Sequence, residues 1–237
     1  CFFFFFCAMN EYNDFQRASM LPIELDSHIP ISLAFSGVVD SVCLLHALHQ
    51  QLQSQHPLIH LWAFHIHHGL QTQADQWLAQ VQTLCAQWDI LFAAKHLDAS
   101  TYQSAQSVEA WAREARYQAL AELAQQHGVR QIVLAHHQDD QIETYLLQKK
   151  RGAGARGLSA MPAKIERNGV VWLRPWLQVS RAQIEQYASA QQLHYVDDPS
   201  NQNTRFSRNE IRAQLRAQPL SAEQRNAIMH TIAQAQA

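Results

Sequence analysis

Apolar runs of strand length recur along this chain, each followed by an amphipathic stretch of helix length. That alternation constrains the fold more than any other feature, because it is the pattern of βαβ units and a parallel sheet. The runs are Ile31–Phe35, Leu58–His65, Leu91–His96 and Gln131–Ala135, with a weaker one at Val170–Leu173. Helical patterns fill the intervals at Asp40–Gln53, Ala74–Asp89, Ser107–His127 and Asp139–Lys150. Several runs are continuously apolar, as strands are when helices cover both faces of the sheet. Past Arg151 the texture changes. Arg151–Leu158 carries three glycines and two arginines and reads as a loop, and Asp197–Asn203 is turn-rich. Ser180–Gln191, Arg208–Gln218 and Ala222–Gln236 read as helices.

At 237 residues and 47% hydrophobic, the chain has length and apolar content for one large domain with an appendage, which excludes global disorder. Its net charge of −2 conceals an asymmetry. Cys1–Gln148 holds 5 basic and 14 acidic residues, whereas Lys149–Ala237 holds 13 basic and 6 acidic. A basic rear half points to a polyanionic partner. The four cysteines (Cys1, Cys7, Cys43, Cys85) show no C-x-x-C spacing and read as reduced thiols. The first nine residues are apolar but too few to span a membrane. Residues 1–20 are expected to be a disordered or spurious segment, with Met9 or Met20 as the true start. Other runs are no longer, so a cytoplasmic protein without a membrane partner is expected.

Two motifs sit where strands give way to helices. Ser36-Gly37-Val38-Val39-Asp40-Ser41 follows the first strand. Small residues with free N–H groups at a helix start can hold an anion, with Mg²⁺ reconciling Asp40 to a phosphate. A Ser/Asp capping turn without ligand explains these six residues equally well. His136-His137-Gln138-Asp139-Asp140-Gln141-Ile142-Glu143-Thr144 follows the fourth strand, at the carboxyl edge where open sheets bind ligands. Asp140 and Glu143 share a helix face at i, i+3. They suit a metal, a cationic amine or proton transfer, and acids decorating a helix start, with His137 on the surface, form the weaker reading.

Other clusters carry less. Arg113 and Arg116 lie at i, i+3, although Glu109 at i−4 of Arg113 fits an ordinary solvated face. His65, His67 and His68 suit loop contacts better than a ligand set. Arg151, Arg156, Arg174, Arg205, Arg208 and Arg212 lie in or near Gly-rich and turn segments, a setting suited to phosphate.

In order and spacing, these residues resemble the catalytic domain of the tRNA(Ile)-lysidine synthases, within the PP-loop (N-type) ATP pyrophosphatases. The resemblance runs from about Ile31 to Arg212. It rests chiefly on His136–Thr144, Arg151-Gly-Ala-Gly, Gly157-Leu158, Asp198-Pro-Ser-Asn201 and Arg208-Asn209. It implies an α/β fold, an open parallel five-stranded sheet with helices on both faces. The implied reaction is ATP-driven ligation of L-lysine to the wobble cytidine of tRNA(Ile) with a CAU anticodon. Ser36, Gly37, Val38, Val39, Asp40 and Ser41 would bind ATP, with Asp40 on Mg²⁺. Asp140 and Glu143 would bind lysine. Arg116 would stabilise developing phosphate charge, and His136 would contact the activated nucleotide. Arg151, Arg205 and Arg208 would meet the tRNA, and a homodimer is included among the expected partners.

Three departures accompany the resemblance. Val38 stands where the family loop has a second Gly, and if positive φ is needed there Val is costly, so slow adenylation is expected. Lys149-Lys150 replaces a more apolar helix end. The chain stops soon after Ala222, where further tRNA-recognition domains are expected in the family. A non-catalytic tRNA- or nucleotide-binding remnant is the alternative from another class. Another PP-loop tRNA modifier ranks lower, because the cytidine-thiolating type uses paired C-x-x-C cysteines.

Overall fold

The computed structural model describes residues 29–67, 74–98, 107–196 and 207–236, without the side chains of residues 109, 155, 156 and 207–209. The expectations for residues 1–20, His68, Asp197–Asn203 and Arg205 lie outside the described residues.

Six strands form one sheet: β1 (Ile31–Ala34), β2 (Leu61–His67), β3 (Leu91–His96), β4 (Gln131–Val133), β5 (Lys164–Arg167) and β6 (Val170–Leu173). Their order is β3-β2-β1-β4-β6-β5. The five expected strands pair in parallel, so the doubly wound sheet is borne out. The sixth, β5, is an antiparallel edge strand added by a hairpin. Its two-residue turn is Asn168-Gly169, with φ of 55° and 72°. Positive φ at both positions is what a twist-compatible tight hairpin requires.

The helices after β1, β2 and β3 are α1 (Val39–Gln55), α2 (Ala74–Gln87) and α3 (Val108–Gln126). After β4 come α4 (Gln138–Lys150) and a single turn, α5 (Ala155–Leu158), within the stretch expected to be all loop. Then follow α6 (Arg181–Ala190), α7 (Ser207–Ala217) and α8 (Ala222–Gln236). One face of the sheet packs on α1, α2 and α6 through Leu44, Leu45, Leu48, Val81 and Ile184. The other packs on α3 through Leu120, Leu123, Ile132, Leu134 and Trp172. A smaller cluster joins α4 to α8 through Ile142, Tyr145, Met229 and Ile232. No helix among the described residues is long and apolar enough to cross a membrane.

β2 extends to His67, so His65 and His67 are buried strand residues sharing one face rather than loop contacts. The segment after α5 is pinned to α4 by one amide. Buried Gln141 donates through Nε2 to the Met161 carbonyl and accepts from the Met161 N–H through Oε1, both at 2.8 Å. Gln141→Leu strands the buried Met161 N–H and leaves the Met161 carbonyl with Gln236 Nε2 at 3.1 Å, so a loss of about 1–3 kcal/mol is expected. Chemical denaturation of the variant against the parent measures it.

Candidate active site

From β1 the chain crosses to β2 on one side, while β4 pairs on the other. The carboxyl ends of β1 and β4 therefore flank the reversal point where open α/β sheets bind ligands. Residues 36–41 leave β1 there, and residues 136–140 leave β4.

The first loop is tied at its entrance. Phe35 donates to the Phe64 carbonyl at 2.8 Å, and the Phe35 carbonyl accepts from His65 Nδ1 at 2.8 Å. Buried Ser41 then closes the loop on itself. Its Oγ donates to the Val38 carbonyl at 2.9 Å and accepts the Gly37 N–H at 3.1 Å, with Ser36 Oγ at 3.0 Å. Gly37 has φ of +85°, and a Cβ there would lie 2.5 Å from Val81 Cγ1. Val38 caps α1 at φ −75° and ψ 162°, ordinary extended backbone. The conformational penalty expected for Val38 is therefore absent, since the positive φ belongs to Gly37. The Val39 side chain is in the core, leaving its backbone for a ligand.

At the loop's mouth, three carboxylates converge on His137. Its Nε2 lies 3.6 Å from Asp40 and 3.5 Å from Asp140, and its Nδ1 lies 3.7 Å from Asp139. The His137 N–H donates to Asp140 Oδ2 at 3.0 Å, which fixes the start of α4. Arg181 NH1 donates to both Asp40 oxygens at 2.9 and 2.7 Å, and its amide donates to Asp139 at 2.9 Å. Arg225 of α8 reaches Asp139 at 2.7 Å. Arg212 of α7 donates to Glu143 at 2.8 Å and approaches Asp140 at 3.5 Å. Burial drives Asp40 toward its neutral form and raises its pKa, despite the nearby His137 and Arg181 charges. Burial also opposes ionisation of Asp139, but the neighbouring His137 and hydrogen bonds from Arg181 and Arg225 hold it far below the carboxylate range. Burial opposes protonation of His137, yet the surrounding carboxylates raise its pKa.

A PP-loop domain matches residues 11–218. The chain belongs to the PP-loop domain family. ATP binding is what that membership implies for this PP-loop domain. It is 42% identical to the tRNA(Ile)-lysidine synthase of Polaromonas naphthalenivorans over 189 residues, 80% of this chain and 56% of that relative. Against the tRNA(Ile)-lysidine synthase of Ralstonia nicotianae the identity is 46% over 182 residues, 77% of this chain and 39% of that relative. The chain thus spans about half the length of the curated relatives it matches. The U34-tRNA thiolase NcsA from Methanococcus maripaludis superposes with a TM-score of 0.76 at 14% identity. That match covers 96% of this chain and 79% of NcsA and speaks to the fold alone.

Within this PP-loop domain, Ser36, Gly37, Val38, Asp40 and Ser41 meet Asp140 and Glu143 across one crevice. Of the adjacent histidines, it is buried His137, not half-buried His136, that bridges Asp40 to Asp140, which sets aside the weaker alternative of a surface His137. Arg116 lies on α3, with its guanidinium carbon 5.9 Å from the Tyr117 ring centroid. Arg151 is exposed at the end of α4. Arg208 belongs to α7, its side chain outside the description. Lys150, at the unexpectedly charged end of α4, pairs with Glu210 at 2.8 Å on the surface. Sequence reasoning missed His137, Asp139, Arg181, Arg212 and Arg225 as members of the network.

Gly37→Ala is expected to cost about 1–3 kcal/mol through its backbone conformation alone. Val38→Gly should change stability by less than about 1 kcal/mol, since Gly is an acceptable cap. Equilibrium unfolding of both variants checks the contrast. A second expectation concerns pH. Because the folded-state pKa of His137 is raised, its stabilisation is complete below about pH 6.5, the unfolded value, and fades as pH rises through the folded value. The stability gap between parent and His137→Gln should therefore be widest near pH 6 and narrow on alkalinisation, measured by denaturation across pH.

Proposed function

We propose that this chain carries out ATP-dependent lysidine formation on tRNA(Ile) with a CAU anticodon. The observation that carries the reading is a buried carboxylate pair, Asp140 and Glu143, beside a phosphate-type loop and already holding a cation, Arg212. A site that holds a guanidinium this way suits a substrate ammonium, and the identity to tRNA(Ile)-lysidine synthases supports lysine as its bearer. Asp140 and Glu143 would bind the amine.

In the first half-reaction, the C2 oxygen of the wobble cytidine attacks the α-phosphorus of ATP, and the bond to pyrophosphate breaks. In the second, the lysine ε-amine attacks C2, the bond to AMP breaks, and the amine gives up a proton. The backbone of Ser36–Ser41, with the Ser36 and Ser41 hydroxyls, would grip the departing pyrophosphate. Arg116 would stabilise charge developing on phosphate, and His136 would contact the activated nucleotide.

Mg²⁺ fits this donor set, because Asp40 and Asp140 present hard oxygens to either side of one imidazole nitrogen next to the loop. Asp40 would hold the ion together with ATP phosphates, where it would offset their charge. The exposed Arg151, with Arg205 and Arg208, would meet the tRNA. A cytoplasmic location and a homodimer complete the reading.

Asp140→Asn and Glu143→Gln should each raise the lysine KM roughly tenfold or more, the loss of a charged hydrogen bond, while ATP–pyrophosphate exchange persists at least partly. Lysine-dependent AMP release on a CAU-anticodon tRNA, run beside that exchange, separates the half-reactions. Equal loss of both would move these residues to ATP or Mg²⁺. A parent with neither activity would reject the enzyme and favour a binding-only role.

A further inference from the structure

Arg174 follows β6 at the carboxyl edge of the sheet, where its N–H extends the ladder by donating to the Ala163 carbonyl at 2.8 Å. It is only 6% exposed. Its guanidinium donates through NH1 to the Pro162 carbonyl at 2.9 Å. Its Nε is buried without a hydrogen-bond partner among the described residues, and no carboxylate pairs with it there. Arg181 and Arg212, the partly exposed arginines of the neighbouring site, are each matched to an acid. Burying a cation is costly unless an anion accompanies it. Arg174 is therefore built to receive an anion from outside.

A second orphan lies on the α3 face, against Trp172. The Tyr117 hydroxyl is also buried without a partner among the described residues. Its ring packs 4.8 Å from that of Trp172, two residues before Arg174 and on the same side of the extended strand. Arg113 and Arg116 bring their guanidinium carbons to 5.2 and 5.9 Å from the Tyr117 ring centroid. The acid of the same turn, Glu114, is taken by Arg167 at 2.7 Å. Guanidinium and hydroxyl donors set among further cations match a phosphate group.

We infer that Arg174 and the Tyr117 hydroxyl form a subsite for one backbone phosphate of the RNA substrate, an inference that rests on the lysidine-forming reading above. The phosphates of ATP are placed otherwise. The loop Ser36–Ser41 opens α1 on one face of the sheet, whereas Trp172 and Tyr117 belong to the α3 face. A polynucleotide crossing the carboxyl edge passes both, with its reacting base in the crevice and a flanking phosphodiester against Arg174.

The test compares Arg174→Gln, Arg174→Lys and Tyr117→Phe with the parent, using a CAU-anticodon tRNA transcript and ATP as separate ligands. Arg174→Gln should weaken tRNA binding roughly tenfold and lower the slope of log K against log salt by about 1. Tyr117→Phe, which removes one oxygen, should weaken it about fivefold. Arg174→Lys should keep most of the affinity. ATP affinity should hold in all three. Without RNA, the melting temperature of Arg174→Gln should match or exceed that of the parent, because an uncompensated charge has gone. A lower melting temperature with an unchanged salt slope would make Arg174 a strut for residues 162–163 and overturn the inference. Weakened ATP binding with intact tRNA binding would overturn the RNA assignment. A parent that binds no tRNA overturns this inference and the reading beneath it, whereas variants that bind like a tRNA-binding parent overturn this one alone.

Discussion

Four carboxylates gathered in one water-poor crevice set the terms for the second half of the chain. Asp40, Asp139, Asp140 and Glu143 stand within reach of one another's fields, and as bare anions they would oppose folding. Arg181 from α6 meets Asp40, Arg225 from α8 meets Asp139, and Arg212 from α7 serves both Asp140 and Glu143, with His137 between them. The helices beyond the sheet are thus electrostatically part of the crevice. Losing one such cation leaves a buried charge uncompensated, an effect of about 3–5 kcal/mol. The segments leaving the sheet gather the acids, and the later helices make that gathering tolerable.

The same arrangement gives the crevice two uses for one set of charges. Arg212 fills the carboxylate pair in the protein alone, and a substrate ammonium would compete for the same oxygens. Arg181 does likewise at Asp40, where Mg²⁺ is proposed. Internal cations therefore keep the folded protein stable while holding the carboxylates in position. On the proposed function, ligand entry would cost an exchange of partners, not the creation of a binding surface.

Much of the sheet was legible because buried parallel strands are continuous apolar runs, and five such runs became five parallel strands. β5 was missed because Lys164-Ile165-Glu166-Arg167 has one apolar residue and is exposed throughout. Its signal was the Asn168-Gly169 dipeptide, which selects a tight hairpin turn. In the crevice, His136–Glu143 was legible because the residues lie together in sequence. The arginines that neutralise them were not, since Arg181 meets Asp40 across 141 residues and Arg225 meets Asp139 across 86. A lone arginine carries no local mark of its partner. Val38 shows the opposite limit: family spacing pointed to a strained position, but the strain sits one residue earlier, where Gly37 already accommodates it.

The two outermost strands have a bearing on how copies of this molecule meet. A sheet edge exposes unpaired N–H and C=O groups that can template a strand from another copy, and charged side chains discourage it. β5 ends the sheet on one side with Lys164, Glu166 and Arg167 in four residues, and β3 ends it on the other with Lys95. Charged side chains on both borders thus discourage continuation of the sheet from one copy into the next. Helix surfaces are thereby better suited to self-association than the sheet borders, where an α/β sheet is most exposed to fibrillar stacking.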